Sequence, residues 1–303
     1  MTSQDKKRMT QFDLASLRTR AGSPSPATPG SQIIKRTQPK LLQGKPKELV
    51  LPSVVAKSTS AAIHVPVQDG SPWERYHSLY SENIGGPATV VIHEHRPQDL
   101  LVVRTHNSAQ VPILRGRPHE NIIEIKEALK HNGGIYVLHE YLPLSLDRLV
   151  GAPIFPNEVQ LASILGQLLD GLLHLESNTI QVGSLQCSEI LLSLDGQVKI
   201  SALDFIPASS DFQSRNVELL RQITLELMEG PAAAQGPTGV RNLDRWPPGS
   251  DAVDFVSAIT SAAGLGDLRK HPLISSIRWG KCYLVWLVHY MVKTTWNGCG
   301  ICE

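Results

Sequence analysis

The sequence predicts an α+β chain in two lobes, a small antiparallel β lobe followed by a larger, mainly helical one. Two observations carry this. Residues 88–142 hold β-rich runs broken by turn signals, and residues 156–230 switch to an apolar period near 3.6. A third is compositional, because the first 60 residues carry 11 Lys/Arg against 3 Asp/Glu and read as a solvated arm.

That arm contains "AGSPSPATPGS" at 21–31 and "QPKLLQGKPKELVLP" at 38–52. Such Pro, Ser, Gly and Lys content buries too little apolar surface to offset ordering entropy, so residues 1–72 are expected to be a disordered basic tail. The other 243 residues hold 18 basic and 25 acidic groups. A net +8 tail thus precedes a net −7 body, a contrast that suits either simple solvation or an electrostatic contact with a partner. Asp5 and Asp13, without an apolar run, argue against a transit or signal peptide.

Within the body, "ATVVIHEHRPQDLLVVRTH" (88–106) predicts two strands turning at Arg96-Pro97-Gln98-Asp99. "NIIEIKEALKHNGGIYVLHEYL" (121–142) predicts two more around Asn132-Gly133. In "PNEVQLASILGQLLDGLLHLESN" (156–178) the apolar residues form a wide helical face with Asn157 as N-cap. A short hairpin follows in "SEILLSLDGQVKIS" (188–201), then a helix over 215–230 ending at Gly230. "DAVDFVSAITSA" and "LGDLRKHPLI" supply two further helical pieces before residue 274.

The four cysteines fit a reducing compartment, cytoplasmic or nuclear. Cys299 and Cys302 are half of a metal site at best, since Cys282, His271 and His289 stand at no recognised ligand spacing. Gly300 occupies the place a prenylated cysteine needs. The apolar run 282–292 is too short to span a bilayer, so no transmembrane segment is expected. No aromatic-basic stripe suggests nucleic-acid binding.

Five strings in order resemble the eukaryotic protein kinase fold, fungal serine/threonine type, over residues 73–274. "HENII" (119–123) is similar to the opening of the fourth strand. "IYVLHEYL" (135–142) is similar to the fifth strand and hinge, with His139 as gatekeeper and Glu140 to Leu142 as hinge. "SEILLSLDGQVKIS" is similar to the end of the catalytic loop and its hairpin, and "LELMEG" (225–230) and "LRKHPLI" (268–274) to helix ends. The resemblance implies an N-lobe over 73–142, a C-lobe over 143–274 and an atypical tail over 275–303.

The resemblance also sets out what kinase chemistry would need. On the family's His-Arg-Asp-Leu-Lys-x-x-Asn loop, Val182 and Gly183 replace His and Arg. Ser184 replaces the proton-accepting Asp, Gln186 the phosphate-steadying Lys, and Glu189 the Mg²⁺-binding Asn. A serine hydroxyl cannot act as that base, whereas a carboxylate at 189 could still hold metal. The metal-binding Asp-Phe-Gly aligns on Ala202, or on Asp204-Phe205-Ile206 through a two-residue insertion. Remnant metal contacts are therefore confined to Glu189 and Asp204.

In the small lobe Arg104 stands for the phosphate-binding lysine, and Arg for Lys is not conservative at a tight ion pair. Val102 crowds the adenine roof, and the Gly-rich loop shrinks to Gly85-Gly86 before Pro87. Residues 105–118 contain no acidic partner for Arg104 before Glu120, and their prolines allow only a truncated helix. The activation segment is shortened, and Asn216 replaces an anchoring Asp. A residual ATP cleft would comprise Gly85, Gly86, Val102, Arg104, Glu140, Leu142 and Asp204, although Arg104 reads equally as an ordinary pocket-edge arginine.

Three functional readings follow. One is a catalytically impaired kinase-like module, a pseudokinase, that signals by binding a protein through its lobes or basic tail; it requires no cofactor and leaves ATP and Mg²⁺ binding open. Another is a divergent ATP-dependent serine/threonine kinase using Arg104, Glu189 and Asp204. The third is a decayed or misread gene product, motivated by the tail after Ile274.

Overall fold

The computed structural model describes residues 66–106, 118–202, 205–207, 211–231, 233 and 239–298, with backbone alone for 205–207 and 295–298. The small lobe is one six-stranded sheet. Its strands are β1 (Val67–Asp69), β2 (Tyr76–Asn83), β3 (Pro87–His93), β4 (Arg96–His106), β5 (Ile125–His131) and β6 (Gly134–Glu140), in the order β1-β5-β6-β4-β3-β2. All pairings are antiparallel except β1 with β5, where Val67 to Asp69 match Ala128 to Lys130. That strand precedes the expected domain start at Trp73; it is formed by a long-range pairing that no local pattern announces.

The β5–β6 hairpin turns at Asn132-Gly133, both with positive φ (48° and 79°), as a two-residue turn of mirror-image type requires. The β3–β4 turn corrects the expectation. It falls at Glu94-His95, and Pro97 lies inside β4. The ladder with β3 shifts register between Ile92 and His93, and pairing with β6 begins only at Leu101. Pro97 therefore sits where no ladder needs its missing N–H.

The large lobe begins with β7 (Leu144–Ser145) and α1 (Leu146–Val150), then α2 (Glu158–Ser177). Asn157 caps α2 through a reciprocal pair with Gln160, at 2.9 and 3.0 Å. Seven apolar α2 residues, Leu161, Ala162, Ile164, Leu165, Leu168, Leu169 and Leu172, are completely inaccessible. Each buried leucine contributes about 1.5–3 kcal/mol relative to exposure, which makes α2 the spine of this lobe.

Next come β8 (Ile180–Val182), β9 (Ile190–Leu192), β10 (Val198–Ile200) and β11 (Phe205–Pro207). β10, β9 and β7 form one small sheet, and β11 pairs with β8. The helix expected over 215–230 spans Phe212–Glu229 (α3), ending at Gly230 with φ +91°. Then follow α4 (Asp251–Ser261), α5 (Leu265–Leu268), α6 (Pro272–Ser275) and α7 (Val285–Gly298). Leu284, Leu287, Val288 and Met291 belong to the same core cluster as α2, so the segment after Ile274 packs against the lobe. Among the described residues no helix is long and apolar enough to cross a membrane.

The lobes are stitched by a buried polar network. Asn121 Nδ2 donates to the Val198 carbonyl at 2.9 Å, while backbone bonds run from Ile123 N to Ile200 O and from Ile200 N to Asn121 O. The Gln167 amide oxygen of α2 accepts from Val198 N at 3.0 Å and Gln197 Nε2 at 2.9 Å.

Candidate functional site

The site sits where the β2–β3 hairpin, the end of β6 and the loop between β8 and β9 converge. Asn83 pairs with Pro87, leaving a loop of only Ile84, Gly85 and Gly86. Gly85 (φ 64°) and Gly86 (φ 113°) adopt backbone conformations that other residues reach only with strain. The Ile84 N–H donates to the Gly86 carbonyl at 3.1 Å, so the tip is tightly folded.

The tip points into the molecule. A Cβ at Gly85 would lie 2.7 Å from Ser201 Oγ, 3.1 Å from Arg104 Nη1 and 3.5 Å from the Ser188 carbonyl oxygen. A Cβ at Gly86 would lie 3.0 Å from Arg104 Nη2. Arg104 Nη1 donates to the Ser201 carbonyl at 3.0 Å. The structure thus gathers Gly85, Gly86 and Arg104 from the predicted set. It adds Ser188 and Ser201, which only the tertiary fold brings near.

Strand alternation puts Val102 and His139 on the Arg104 side of the sheet, Val102 facing His139 across the ladder. Both are fully buried. His139 Nδ1 lies 2.8 Å from the Glu140 carbonyl, an atom that can only accept, so Nδ1 carries the proton. Nε2 is then a bare acceptor, without a hydrogen bond among the described residues. Burial, reinforced by the charge of Arg104 and opposed by the bond to Glu140, pushes His139 down to about 4. The ring is neutral at physiological pH.

The other predicted residues have different neighbours. Glu140 turns to Lys199, whose Nζ lies 2.6 Å from Oε1, and also accepts from Glu124 N at 2.9 Å. Leu142 is buried in a cluster with Ile84, Ile123 and Leu191. Gln186 and Glu189 cap each other, with the Gln186 N–H donating to Glu189 Oε2 at 3.0 Å. Residues 186 and 189, which the resemblance matches to the catalytic-loop Lys and Asn, are thereby joined across a single turn. Ser184 is exposed and makes no hydrogen bond among the described residues, while Val182 pairs with Phe205 and Gly183 is half-buried. Asp204, and the truncated helix sought in residues 105–118 beyond His106, lie outside the described residues.

Ala202 is completely buried, and Asn216 donates through Nδ2 to Glu176 Oε1 at 2.9 Å. No group of three or more His, Cys, Asp or Glu with metal-ligand geometry occurs among the described residues. Two cavities, of about 570 and 750 Å³, open on the opposite face of the small sheet. Val103 lines one and Leu101 the other, the residues that alternate with Val102 and Arg104.

No protein-family model matches the chain. It is similar to fungal serine/threonine-protein kinases. The protein named pakA in Talaromyces marneffei is 22% identical over 233 residues, 73% of this chain and 36% of its own length. The ste20 protein of Aspergillus fumigatus is 23% identical over 199 residues, 62% of this chain and 24% of its own. MST20 of Pyricularia oryzae is 24% identical over 208 residues, 65% of this chain and 22% of its own. The match thus covers only 22% to 36% of the length of these relatives. With the β lobe and helical lobe, it supports a kinase-like domain.

Proposed function

We propose that the chain is a pseudokinase, a kinase-like domain that works as a binding or scaffold module in signalling and transfers no phosphoryl group. The observation that carries this reading is the Gln186–Glu189 cap beside the exposed Ser184. Phosphoryl transfer is chiefly charge stabilisation and positioning; that loop offers no cation to the phosphate, has Ser184 at the position matched to the base, and engages its one carboxylate, Glu189, in the cap. Loss of a general base alone typically costs about 10² to 10⁴ in rate.

Other features support it. Arg104, matched to the family's lysine, is engaged with a backbone carbonyl; in the register without an insertion the buried Ala202 falls where the family has a metal ligand; and α3 begins at Phe212, leaving a short segment before it. The reading requires neither ATP nor Mg²⁺. A partner protein would dock on the lobes or on the basic segment 1–60, whose charge suits an acidic surface. A decayed product is disfavoured by how closely the tail fits the lobe, with Trp279 and Lys281 seated over Gly166 and Gly196.

The test is γ-phosphate transfer by the purified full chain to a generic protein acceptor and to itself, beside a Ste20-type kinase as positive control. No transfer above the no-enzyme background is expected, and none from Asp204→Ala. Transfer by the wild-type chain that disappears in Asp204→Ala would overturn the reading in favour of a divergent kinase.

A further inference from the structure

We propose that the cleft between the lobes is closed from within by the β2–β3 hairpin, with Ile84 as the plug and Arg148 as the latch, so that the protein acts without any nucleotide. The proposal rests on the pseudokinase reading and deepens it, by saying what occupies the place where a kinase would hold its cofactor.

The plug comes first. Ile84 is completely inaccessible although it lies at a hairpin tip, where a large apolar side chain is normally solvated. Its burial comes from a cluster with Ile123, Leu142 and Leu191, which spans the hairpin, the strand lead-in, the hinge and β9. A planar base lying between two apolar surfaces needs them about 7 Å apart, two carbon contact distances. Side chains packed against one another in a single cluster leave no such slot.

The phosphate side is closed as well. A Cβ at Gly85 would fall 2.7 Å from Ser201 Oγ and in ordinary contact with the Ser188 carbonyl, and one at Gly86 would fall 3.0 Å from the Arg104 guanidinium, so the tip rests on all three. The hairpin tip therefore touches the large lobe with no gap for a triphosphate. A loop of three residues, braced by its internal bond and ended by Pro87, has little freedom to lift locally.

The latch comes from α1. Arg148 Nη1 lies 2.6 Å from Glu82 Oε1, and Nη2 donates to the Asn83 carbonyl at 3.4 Å, on the two residues that immediately precede Ile84. Both side chains are largely shielded, at 25% and 20% exposure, so solvent screens this pair less than a surface pair. Tyr80 Oη and Tyr141 Oη, 3.3 Å apart, add a second tie between β2 and the hinge.

The experiment pairs nucleotide binding with hydrogen exchange on the full chain. Wild-type protein is expected to show no change in thermal midpoint with millimolar MgATP, ATP without metal, or ADP, and slow exchange of the Ile84 amide, which donates to the Gly86 carbonyl. Arg148→Ala is expected to speed exchange over residues 82–88 about tenfold while leaving the α2 amides unchanged, and Arg148→Lys to fall between. The α2 amides report directly that the variants remain folded. A saturable rise in wild-type midpoint with any of the nucleotides would overturn the proposal, as would an Ile84 amide that already exchanges like one in an open loop. Nucleotide binding without transfer would sink the plug and leave the pseudokinase reading intact; transfer would sink both.

Discussion

Trp279 lies against Gly166 of α2 so closely that a Cβ at position 166 would fall 2.6 Å from its Cζ2 atom. The indole is fixed from several sides: Nε1 donates to the Ile274 carbonyl at 2.6 Å, and the Arg269 guanidinium, paired to Asp170 at 2.8 Å, stands 5.1 Å from the ring. Two opposing effects decide what Gly166→Ala does. Helix propensity favours alanine by about 1 kcal/mol, but an overpacked contact costs about 1–3 kcal/mol and requires a rigid ring to move. Net destabilisation is expected in urea unfolding. Trp279→Ala should reverse the sign, so that Gly166→Ala stabilises in that background; additive losses would show that the two do not touch.

The network around Gln167 gives a larger effect. Its Oε1 accepts from Val198 N, Gln197 Nε2 and, at 3.4 Å, Asn121 Nδ2, while its Nε2 donates to the Ser163 and Gly196 carbonyls. Gln167→Leu keeps the volume and orphans several buried groups at once, each worth about 1–3 kcal/mol. A loss of at least 3 kcal/mol is expected in chemical denaturation. A loss below 1 kcal/mol would mean that water substitutes freely there.

Local signals made some of this fold readable before any coordinates. Asn132-Gly133 needs only its own backbone preference, and α2 announces itself through ten apolar positions and Asn157 as N-cap, whose reciprocal bond with Gln160 the structure adds. What failed was decided elsewhere in the chain. Pro97 reads as a turn until the register shift in β3 makes room for it, and Val67–Asp69 is a strand only because β5 offers a free edge. The site divides the same way. The departures from the family's letters at Ser184 and Gln186 are visible in the sequence, whereas the placements of Ile84, Ser201 and Arg148 depend on contacts 39 to 116 residues away and carry no local pattern.

Acid should weaken the fold through His139. Its folded value, about 4, lies below the ordinary 6.5, so as pH falls the unfolded chain takes up the proton first. The stability tied to the neutral ring is complete above about 6.5 and is lost progressively toward about 4, on the order of 3 kcal/mol in all. His119 and His271, also lowered by burial, contribute in the same direction. Urea midpoints measured between about pH 7 and pH 4 should fall steadily in wild type. In His139→Leu the slope over that range should be shallower; an unchanged slope would assign the acid sensitivity to other groups.

Giving the loop the kinase family's letters should not produce phosphoryl transfer. Ser184→Asp, Gln186→Lys and Glu189→Asn together supply the base, the cation and the metal-binding amide that the kinase family uses. They also remove the reciprocal cap of Gln186 and Glu189, at a cost of about 1 kcal/mol. The triple variant leaves Ala202 buried, Arg104 bonded to the Ser201 carbonyl and Ile84 packed with Ile123, Leu142 and Leu191. Charge stabilisation needs the nucleotide and metal positioned before the base matters. No phosphoryl transfer above background is therefore expected from the folded triple variant, with its thermal midpoint slightly below wild type. Measurable transfer would show that only the loop had lost its function and that the rest of the cleft remained able to accept ATP.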